Sequence, residues 1–441
     1  MKGLDPGLPA RRPLWRRLGT LPLFSHYNRL FAMVIAGNCM ALAYGLTGGQ
    51  WWSPTGIALQ TLVNLVVVNL SLAVLIRQQY LINLLFWLAT RVPTTWPLAV
   101  RRSLAKVYHF GGLHSGAAVA AIGWFAAFFG TLAWRSSAGD GVSLTLLGIS
   151  GTLLGLLALI AVLALPRIRS RYHNGFERMH RFGGWTALGL FWAMTLAFAA
   201  DRHPADPLAQ VLVGSPPFWA LLVVTCSIAL PWLRLRRVPV TWVRPSSHAV
   251  IARFTHHTPF TGSSIAISRH PLWEWHAFAN IPAPGENGFR LIISRAGDWT
   301  GSFIEQPPSH VWVKGITTAG VARIETLFKS VVYIATGSGI GPVLPHLLAG
   351  QVPARLVWSA RSPRATYGDA LVDEILEAQP EALIWDTRES GKPDLVALAY
   401  AAVRSFGAEA VICISNQHLT ELVVEEMEAR GIPAYGAIWD S

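Results

Sequence analysis

The sequence predicts a multi-domain membrane protein. We expect an α-helical transmembrane bundle of about six helices, then an antiparallel β-barrel and an α/β domain with a parallel sheet. Hydrophobic residues make up 52% of the 441 residues and charged residues only 14%. The mean hydropathy of +0.38 also lies far from that of soluble globular domains. Long apolar runs occupy the first half of the chain, and short strand-like segments follow after residue 240.

This change of pattern predicts four parts. They are a basic N-terminus (1–27), a six-helix transmembrane domain (28–233), a β-barrel (234–328) and an α/β domain (329–441). A transmembrane helix needs about 20 apolar residues. Runs of this kind occupy 28–46, 56–76, 108–133, 143–165, 181–200 and 212–233. The apolar segment 80–90 is too short to span, and we expect it to lie at the membrane interface or to extend the second helix.

The positive charges predict the orientation. Arginine and lysine concentrate in the N-terminus and in alternate loops, whereas the intervening loops hold only Arg135 and Arg202. Because positively charged loops stay on the cytoplasmic side, both termini are predicted to be cytoplasmic in an integral membrane protein. The same loops account for the net charge of +12. We therefore predict the lipid bilayer, and no nucleic acid, as a partner. The three cysteines show no metal-ligand spacing.

Four histidines lie near the cytoplasmic ends of the third and fifth predicted helices: His109, His114, His173 and His180. Two histidines that face each other at one depth can ligate a haem iron from both sides. A glycine pair lies beside each group, at 111–112 and 183–184, and glycine lets a flat macrocycle approach the backbone. The alternative is that interfacial histidines anchor the helices or meet lipid phosphates.

Helix geometry ranks these ligands. His109 and His114 are about 140° apart around the helix axis, so both cannot serve one iron equally. We rank His180 first, with His114 or His109 as its partner. His173 ranks last, because Asn174-Gly175 is expected to break the helix between His173 and His180.

The second half of the chain carries two strand patterns. Short β-type runs separated by Gly and Pro favour an antiparallel barrel: HAVIARF, SSIAIS, FRLIIS and HVWVKGI. From residue 329 strands and helices alternate, which favours a parallel sheet covered by helices. The first of these strands leads directly into a glycine-rich turn at 335–342. The turn can bring backbone N–H groups to a pyrophosphate, and the following helix presents its positive end there.

Together, the six-helix layout, the histidines and this module resemble the ferric reductase/NADPH oxidase superfamily over nearly the whole chain. The resemblance implies a ferric-reductase-like transmembrane domain joined to a ferredoxin-reductase-type FAD/NAD(P) module. The turn is similar to a GxGxxP turn that binds a nicotinamide cofactor, through Thr336, Gly337, Ser338, Gly339, Gly341 and Pro342. Arg361, with Arg364 nearby, would favour NADPH by pairing with its 2′-phosphate.

The resemblance also implies a flavin site. Its residues would be His276, Phe278, Gly315, Gly320 and Trp439. Ala279 stands where the family has a threonine that hydrogen-bonds the flavin, and 413–417 lacks the family's Cys-Gly-Pro, with Cys413 one residue early. We single out no catalytic residue. The implied enzyme is a transmembrane oxidoreductase that passes electrons from NAD(P)H through FAD to a haem b.

One departure limits the number of haems. Family members carry a second histidine about four helical turns deeper on each helix, and here Met194 stands near one such place without a partner. We therefore expect one haem and a small-molecule electron acceptor such as a quinone or a ferric chelate. Two alternatives stay open. One is a redox-inactive membrane protein that senses a nucleotide or docks a protein partner, which the sequence does not identify. The other is a haem-free membrane-anchored flavin reductase.

Overall fold

A computed structural model of the protein describes residues 7–437 apart from 18, 20, 54, 55 and 140. Contacts within the chain define two units. The first, which we name the helical unit, comprises 27–78 and 110–230, and the second, the sheet unit, comprises the described residues of 7–26, 79–109 and 231–437. Trp439, predicted to contact a flavin, lies outside the described residues.

Helices make up nearly all of the chain before residue 234. In chain order they are α1 (Leu14–Arg17), α2 (His26–Thr47), α3 (Leu59–Leu75), α4 (Gln79–Thr90), α5 (Leu98–Leu104), α6 (Gly111–Ser137), α7 (Leu144–Leu163), α8 (Pro166–Arg171), α9 (His173–Arg178), α10 (Gly184–Arg202), α11 (Leu208–Val213) and α12 (Pro216–Leu233). A 3₁₀ turn covers Pro22–Phe24, a π-helical turn covers Met179–Gly183, and strands β1 (Trp52–Ser53) and β2 (Gly56–Ile57) form a hairpin.

Five helices in the described residues are long and apolar enough to cross a membrane. They are α2, α6, α7, the helix His173–Arg202 that joins α9 to α10, and α12. α3 and α4 pass the same test together as one bent span, which gives up to six. Each predicted apolar run thus forms a helix. The predicted break at Asn174-Gly175 is wrong, because the helix continues through it and departs from α geometry only in the π-helical turn.

Large apolar side chains form the core of the helical unit, where α3, α6, α7, α10 and α12 meet. Phe125, Phe128 and Leu153 are almost completely buried there. A polar cluster joins α2, α3 and α6 beside this core. Asn38 and Asn69 exchange side-chain hydrogen bonds of 3.0 and 2.8 Å, and Trp124 Nε1 donates to Asn38 Oδ1 at 2.7 Å. Such bonds between helices satisfy polar groups that apolar surroundings would leave unpaired.

Two antiparallel sheets follow at the predicted strands. Their strands are β3 (Leu235–Pro239), β4 (Thr241–Val243), β5 (Ala249–Phe254), β6 (Ser263–Ser268), β7 (His276–Ala279), β8 (Phe289–Ser294), β9 (His310–Lys314) and β10 (Thr318–Ala319), with helix α13 (Asp298–Glu305) and a 3₁₀ helix at Val321–Leu327. One sheet has the order β10-β6-β9-β3 with β7 also on β6, and the other has the order β4-β5-β8.

The predicted closed barrel is not found among the described strands. The two sheets enclose one apolar core that includes Phe254, Ile267 and Val313. β3 pairs with β9 up to Pro239, whereas β4, only two residues later, pairs with β5 in the other sheet. Val240 N still donates to Ser309 O at 3.1 Å, so the chain changes sheets between Val240 and Thr241. An isolated bridge between Ile281 and Arg290 links the sheets elsewhere.

The last part of the chain forms a parallel sheet with helices, as predicted. Its strands are β11 (Val331–Thr336), β12 (Ala354–Ala360), β13 (Leu383–Asp386), β14 (Ala410–Ile414) and β15 (Ala434–Gly436), in the order β13-β12-β11-β14-β15. Its helices are α14 (Ile340–Ala349), α15 (Pro363–Tyr367), α16 (Asp369–Ala378), α17 (Thr387–Ser390), α18 (Leu395–Phe406) and α19 (Gln417–Ala429), with a 3₁₀ turn at Gly337–Gly339.

Residues 79–109 belong to the sheet unit because polar side chains attach them to it. The Asn83 side chain donates to Thr317 O and accepts from Ala319 N, both at 2.8 Å, so it continues the edge of β10. Arg101 is almost completely buried and bonds Leu327 O and Glu409, both at 2.7 Å. The sequence assigns this segment to the predicted transmembrane domain. Local sequence patterns do not reveal its attachment to the sheet unit, because these hydrogen bonds join residues far apart in the chain.

Gly112→Ala should destabilise the helical unit. A Cβ at Gly112 would lie 2.1 Å from the Tyr27 carbonyl oxygen, so α2 and α6 must separate. We expect a cost of about 1–3 kcal/mol, typical of overpacking, seen as a lower melting temperature of the purified protein. Gly123→Ala is the matched control on the same helix, because a Cβ there meets nothing within 4 Å. Equal melting temperatures for the two variants would contradict the packing described.

Candidate functional site

The carboxyl ends of β11, β12 and β14 form one edge of the parallel sheet. The register pairs Thr336 with Ser359 and Ala335 with Ile414, so the segments that follow the three strands begin side by side. Thr336 Oγ1 lies 2.6 Å from Ser415 Oγ. The sheet order changes direction between β11 and β14. Ligands of open α/β sheets bind at such a switch point.

The glycine-rich turn at this edge has two structural constraints. Gly337 has a φ of +51°, which favours glycine, and its carbonyl accepts a 2.9 Å hydrogen bond from Trp358 Nε1. A Cβ at Gly339 would lie 2.1 Å from Ile414 O. Gly339 therefore lets the turn lie against β14. Of the other residues predicted to hold the cofactor, Ser338 is exposed, Gly341 is buried and Pro342 lies in the first turn of α14.

A cavity of about 880 Å³ opens at this edge. Thr336 and Gly337 line one part of it, and Arg361, Arg388 and Lys392 line another. Asp and Glu are absent from the described residues that line it. The cavity thus suits a ligand with several negative charges, since cations paired with phosphate make strong hydrogen bonds. Sequence reasoning found Arg361 but missed Arg388 and Lys392, which follow β13 at the same edge.

The loop that carries Arg361 is held by Asp386. The Asp386 carboxylate accepts hydrogen bonds from the backbone N–H of Ser362 at 2.9 Å and of Arg388 at 2.8 Å, which lowers the pKa of that carboxyl. Arg364 is engaged elsewhere, because it forms ion pairs of 3.0 Å with Asp369 and 2.8 Å with Asp373. Arg361 is therefore better placed than Arg364 to meet a ligand in the cavity.

Cys413 is a core residue of the sheet. It lies on β14 and is completely buried, and burial raises the pKa of its thiol to about 12. A thiol that stays protonated is a poor nucleophile. The structure therefore gives Cys413 a packing role.

Two of the residues predicted to bind a flavin lie in an aromatic cluster. The rings of His276 and Trp299 are 4.0 Å apart between centroids, and those of Phe278 and Trp299 are 6.2 Å apart. Trp299 also packs against Phe303 at 4.2 Å. The cluster brings the predicted residues together, and Trp299 lies against both of them.

The two glycines predicted to hold the flavin phosphates have their N–H groups engaged. Gly315 N donates to Arg234 O at 3.1 Å, and Gly320 N donates to Gly262 O at 2.7 Å. A Cβ at Gly315 would also lie 2.6 Å from Arg234 O, so glycine is required there for strand packing. These residues do not form the cradle of free N–H groups that a pyrophosphate needs.

The helical unit brings two predicted haem ligands together. The rings of His114 and His180 are 6.1 Å apart between centroids, at an interplanar angle of 68°. Two imidazoles on one metal, each with a metal–nitrogen distance of about 2.0 Å, have centroids about 6.3 Å apart. The His114 Nδ1 lies 2.7 Å from Ala73 O. Nδ1 therefore carries the proton, which leaves Nε2 as the nitrogen that can bind a metal.

His180 lies in the π-helical turn Met179–Gly183, and its side chain is exposed. Single π-helical turns inside α-helices are frequent at functional sites. In the part of the chain that the structure describes, there is no group of three or more His, Cys, Asp or Glu that could hold a metal ion. Two axial histidines suffice for haem, so the pair fits that cofactor.

The other two predicted ligands lie elsewhere. His109 belongs to the sheet unit, where its ring is 5.8 Å from that of His26, a residue that sequence reasoning missed. Burial, followed by the effects of His26 and Lys106, lowers the pKa of His109 to about 3. His173 is exposed, and its Nε2 lies 3.4 Å from a Glu177 carboxylate oxygen. The structure brings neither of them beside His180 within the helical unit.

The glycine pairs have roles other than admitting a macrocycle. Gly112 lets α6 contact the backbone of α2, as described above. A Cβ at Gly183 would lie 3.0 Å from Met179 Sδ and 3.2 Å from Ile160 Cδ1, so Gly183 serves the packing of this helix on α7. A Cβ at Gly184 meets nothing within 4 Å. Of Gly112, Gly183 and Gly184, Gly184 alone therefore leaves open space beside it.

Comparisons with known proteins find similarity to adenylate-forming reductases. A family described as "Adenylate-forming reductase 03009, C-terminal domain" matches residues 321–441. The chain is 44% identical over 420 residues to adenylate-forming reductase 03009 of Coprinopsis cinerea, and 43% identical over 421 residues to adenylate-forming reductase 06235 of the same fungus. Each match covers 95% of this chain and 40% of the relative. The chain thus spans about two fifths of the length of these relatives.

Among solved structures, the chain is similar to ferredoxin-NADP⁺ reductases over slightly less than half of its length. One from Neisseria gonorrhoeae, with bound FAD and NADP, is 13% identical with a TM-score of 0.38, and the match covers 46% of this chain and 98% of that one. One from Plasmodium falciparum is 9% identical with a TM-score of 0.37, covering 47% and 96%.

Gly339→Ala should destabilise the sheet unit, because the added Cβ would meet Ile414 O and force the turn away from β14. Gly341→Ala in the same turn is the matched control, since its Cβ would lie no closer than 3.7 Å to Ile292. We expect a lower melting temperature and greater susceptibility to limited proteolysis for Gly339→Ala alone. If both variants melt like the wild-type protein, the close approach is not a packing constraint.

Proposed function

We propose that this chain is a membrane-embedded, NAD(P)H-dependent oxidoreductase. The observation that carries the proposal is the cationic cavity at the carboxyl edge of the parallel sheet. It is lined by Thr336 and Gly337 of the glycine-rich turn, which leads into α14, and by Arg361, Arg388 and Lys392. A dinucleotide pyrophosphate suits the turn and the helix N-terminus. A 2′-phosphate suits the cluster of basic side chains.

We propose that the helical unit lies in the lipid bilayer. Five or six helices have the length and composition of spans, and they expose apolar side chains such as Val68 and Val119 that water would solvate poorly. The alternation of basic loops favours cytoplasmic N- and C-termini. The nicotinamide cofactor would then reach the sheet unit from the cytoplasm.

A haem b is proposed between His114 and His180. When bound, haem supplies one-electron redox chemistry that side chains lack. The chain contributes two neutral imidazoles, and the bond from His114 Nδ1 to Ala73 O holds one ring in the required tautomer. A quinone or a metal chelate is proposed as the final electron acceptor.

Of the three proposed cofactors, FAD is the one that the described residues fit least well. The aromatic cluster of His276, Phe278 and Trp299 offers a surface for a flat ring. The engaged N–H groups of Gly315 and Gly320 do not fit its pyrophosphate. We therefore derive no step through a flavin. The names of the two fungal relatives combine adenylate formation with reduction, and we propose that this chain corresponds to a reducing part of such proteins.

The poor fit of Gly315 and Gly320 to a flavin pyrophosphate favours a second candidate function. A chain that binds NAD(P)H without a flavin would be a redox-inactive membrane protein, with the sheet unit acting as a nucleotide sensor or docking module. A haem-free flavin reductase is a further alternative. The three functions differ in the cofactors bound and can be separated by spectroscopy.

Arg361→Ala should weaken NADPH binding selectively. Loss of a charge-assisted hydrogen bond of about 1.5–3 kcal/mol raises the Kd about 10- to 150-fold. NADH has no 2′-phosphate, so its Kd should stay within about twofold. Arg364→Ala is the matched control, because Arg364 is held by Asp369 and Asp373. An equal rise in the Kd of NADPH and NADH would contradict a contact between Arg361 and the 2′-phosphate. An unchanged Kd for both cofactors would show that Arg361 does not contribute to the site.

Absorption spectra of the purified protein should show a Soret band and, after dithionite, an α-band. His180→Ala should lose both, whereas His173→Ala, four residues from Glu177 on the exposed surface, should keep them. Flavin absorption alone would support the haem-free reductase. The absence of both chromophores after reconstitution with haem and FAD would support the redox-inactive function.

A further inference from the structure

A second cavity lies within the helical unit. Its volume is about 670 Å³, and residues of α3, α6, α10, α11 and α12 line it. Phe128 and Met194 are in its wall, 14 residues beyond His114 and His180 respectively. Fourteen residues are close to four helical turns, or about 21 Å. On α6 the cavity therefore lies along about the same face as His114.

One end of the cavity is apolar and aromatic. The rings of Phe125 and Phe128 are stacked with centroids 5.9 Å apart, and Phe191 meets Phe125 edge to face at 5.8 Å. Met194 lines the cavity beside them. Aromatic rings and a thioether make favourable contacts with a flat ring. Neither phenylalanine nor a lone methionine supplies two strong axial ligands, so this end suits an organic molecule better than a second haem.

The other end of the cavity is polar. Gln60, Asn64 and Gln210 contribute neutral amides, while Arg202 and Asp206 contribute opposite charges. Asp206 Oδ2 also lies 3.2 Å from His203 Nδ1. A ligand head of either charge would meet a like charge at this end, whereas carbonyl oxygens could accept hydrogen bonds from the amides and the guanidinium.

We propose that this cavity, which we name the quinone cavity, binds a neutral quinone with an apolar tail. A quinone combines a flat ring, uncharged carbonyl oxygens and an apolar chain, which match the two ends described. The inference rests on the proposed function and names its acceptor. As acceptor, the quinone takes two electrons and two protons and leaves as a quinol. NAD(P)H loses a hydride to become NAD(P)⁺, and the second proton comes from solvent.

The test uses the full chain in phosphatidylcholine nanodiscs and a photoreactive azidoquinone with a ten-carbon tail. We expect saturable labelling of peptides from α3 and α10, mapped by mass spectrometry, that decylubiquinone abolishes. Val67→Trp fills the cavity and should reduce labelling at least tenfold. Val68→Trp is the matched control, because the neighbouring Val68 is 64% exposed and does not line the cavity.

The double variant Gln60→Leu/Gln210→Leu tests recognition of the quinone head group without adding volume, in case Val67→Trp fails to fold. In this variant, decylubiquinone should compete with labelling at least tenfold less effectively. Equal labelling of Val67→Trp and the wild-type protein, or unchanged competition in the double variant, would overturn the proposal. So would equal competition by lauric acid, which would make this an acyl-chain site. Labelling needs neither NADPH nor haem, so a protein without a Soret band that still binds the quinone would refute only the proposed function.

Discussion

The parallel pairing of β11 between β12 and β14 is the constraint on which the proposed nucleotide site depends. It aligns the carboxyl ends of these strands, so the glycine-rich turn, the loop with Arg361 and the segment after Ser415 begin at one edge. Gly339 makes this alignment possible, since any side chain there would collide with Ile414 O. The two hydrogen bonds to Asp386 then hold the loop that carries the cation. The cavity and its charge follow from this register.

The helical unit follows a second constraint, that polar groups among apolar side chains must find partners inside the protein. Asn38, Asn69 and Trp124 satisfy one another across three helices. His114 is held in the same way by Ala73 O, which fixes its tautomer and leaves one ring nitrogen for a ligand. A hydrogen bond that joins two helices of the bundle can thus also orient a side chain for ligand binding. On α6 the quinone cavity begins about three helical turns beyond His114, at Phe125.

Glycine shows why a motif alone did not decide the sites. The sequence assigned Gly315 and Gly320 to a flavin phosphate, and the pairs at 111–112 and 183–184 to a macrocycle. In the fold, the N–H groups of Gly315 and Gly320 are used in backbone hydrogen bonds, while Gly112 and Gly183 allow helices to pack closely. Close approach of two backbones and close approach of a ligand require the same residue. Only the neighbouring atoms distinguish the two roles.

By itself, the sequence determined the helices, the strands and the parallel sheet, because hydrophobic periodicity and turn residues act over a few neighbouring positions. It also predicted a cofactor-binding turn at 335–342 with Arg361, and His180 with His114 or His109 as haem ligands, and these roles stay predictions. The tertiary structure alone showed that the ring of His114 lies beside that of His180, and that Arg388 and Lys392 share the cavity with Arg361. It also showed that the described antiparallel strands form two sheets rather than a closed barrel, and that 79–109 belongs to the sheet unit. These features arise from contacts between residues far apart in the chain, which no local pattern encodes.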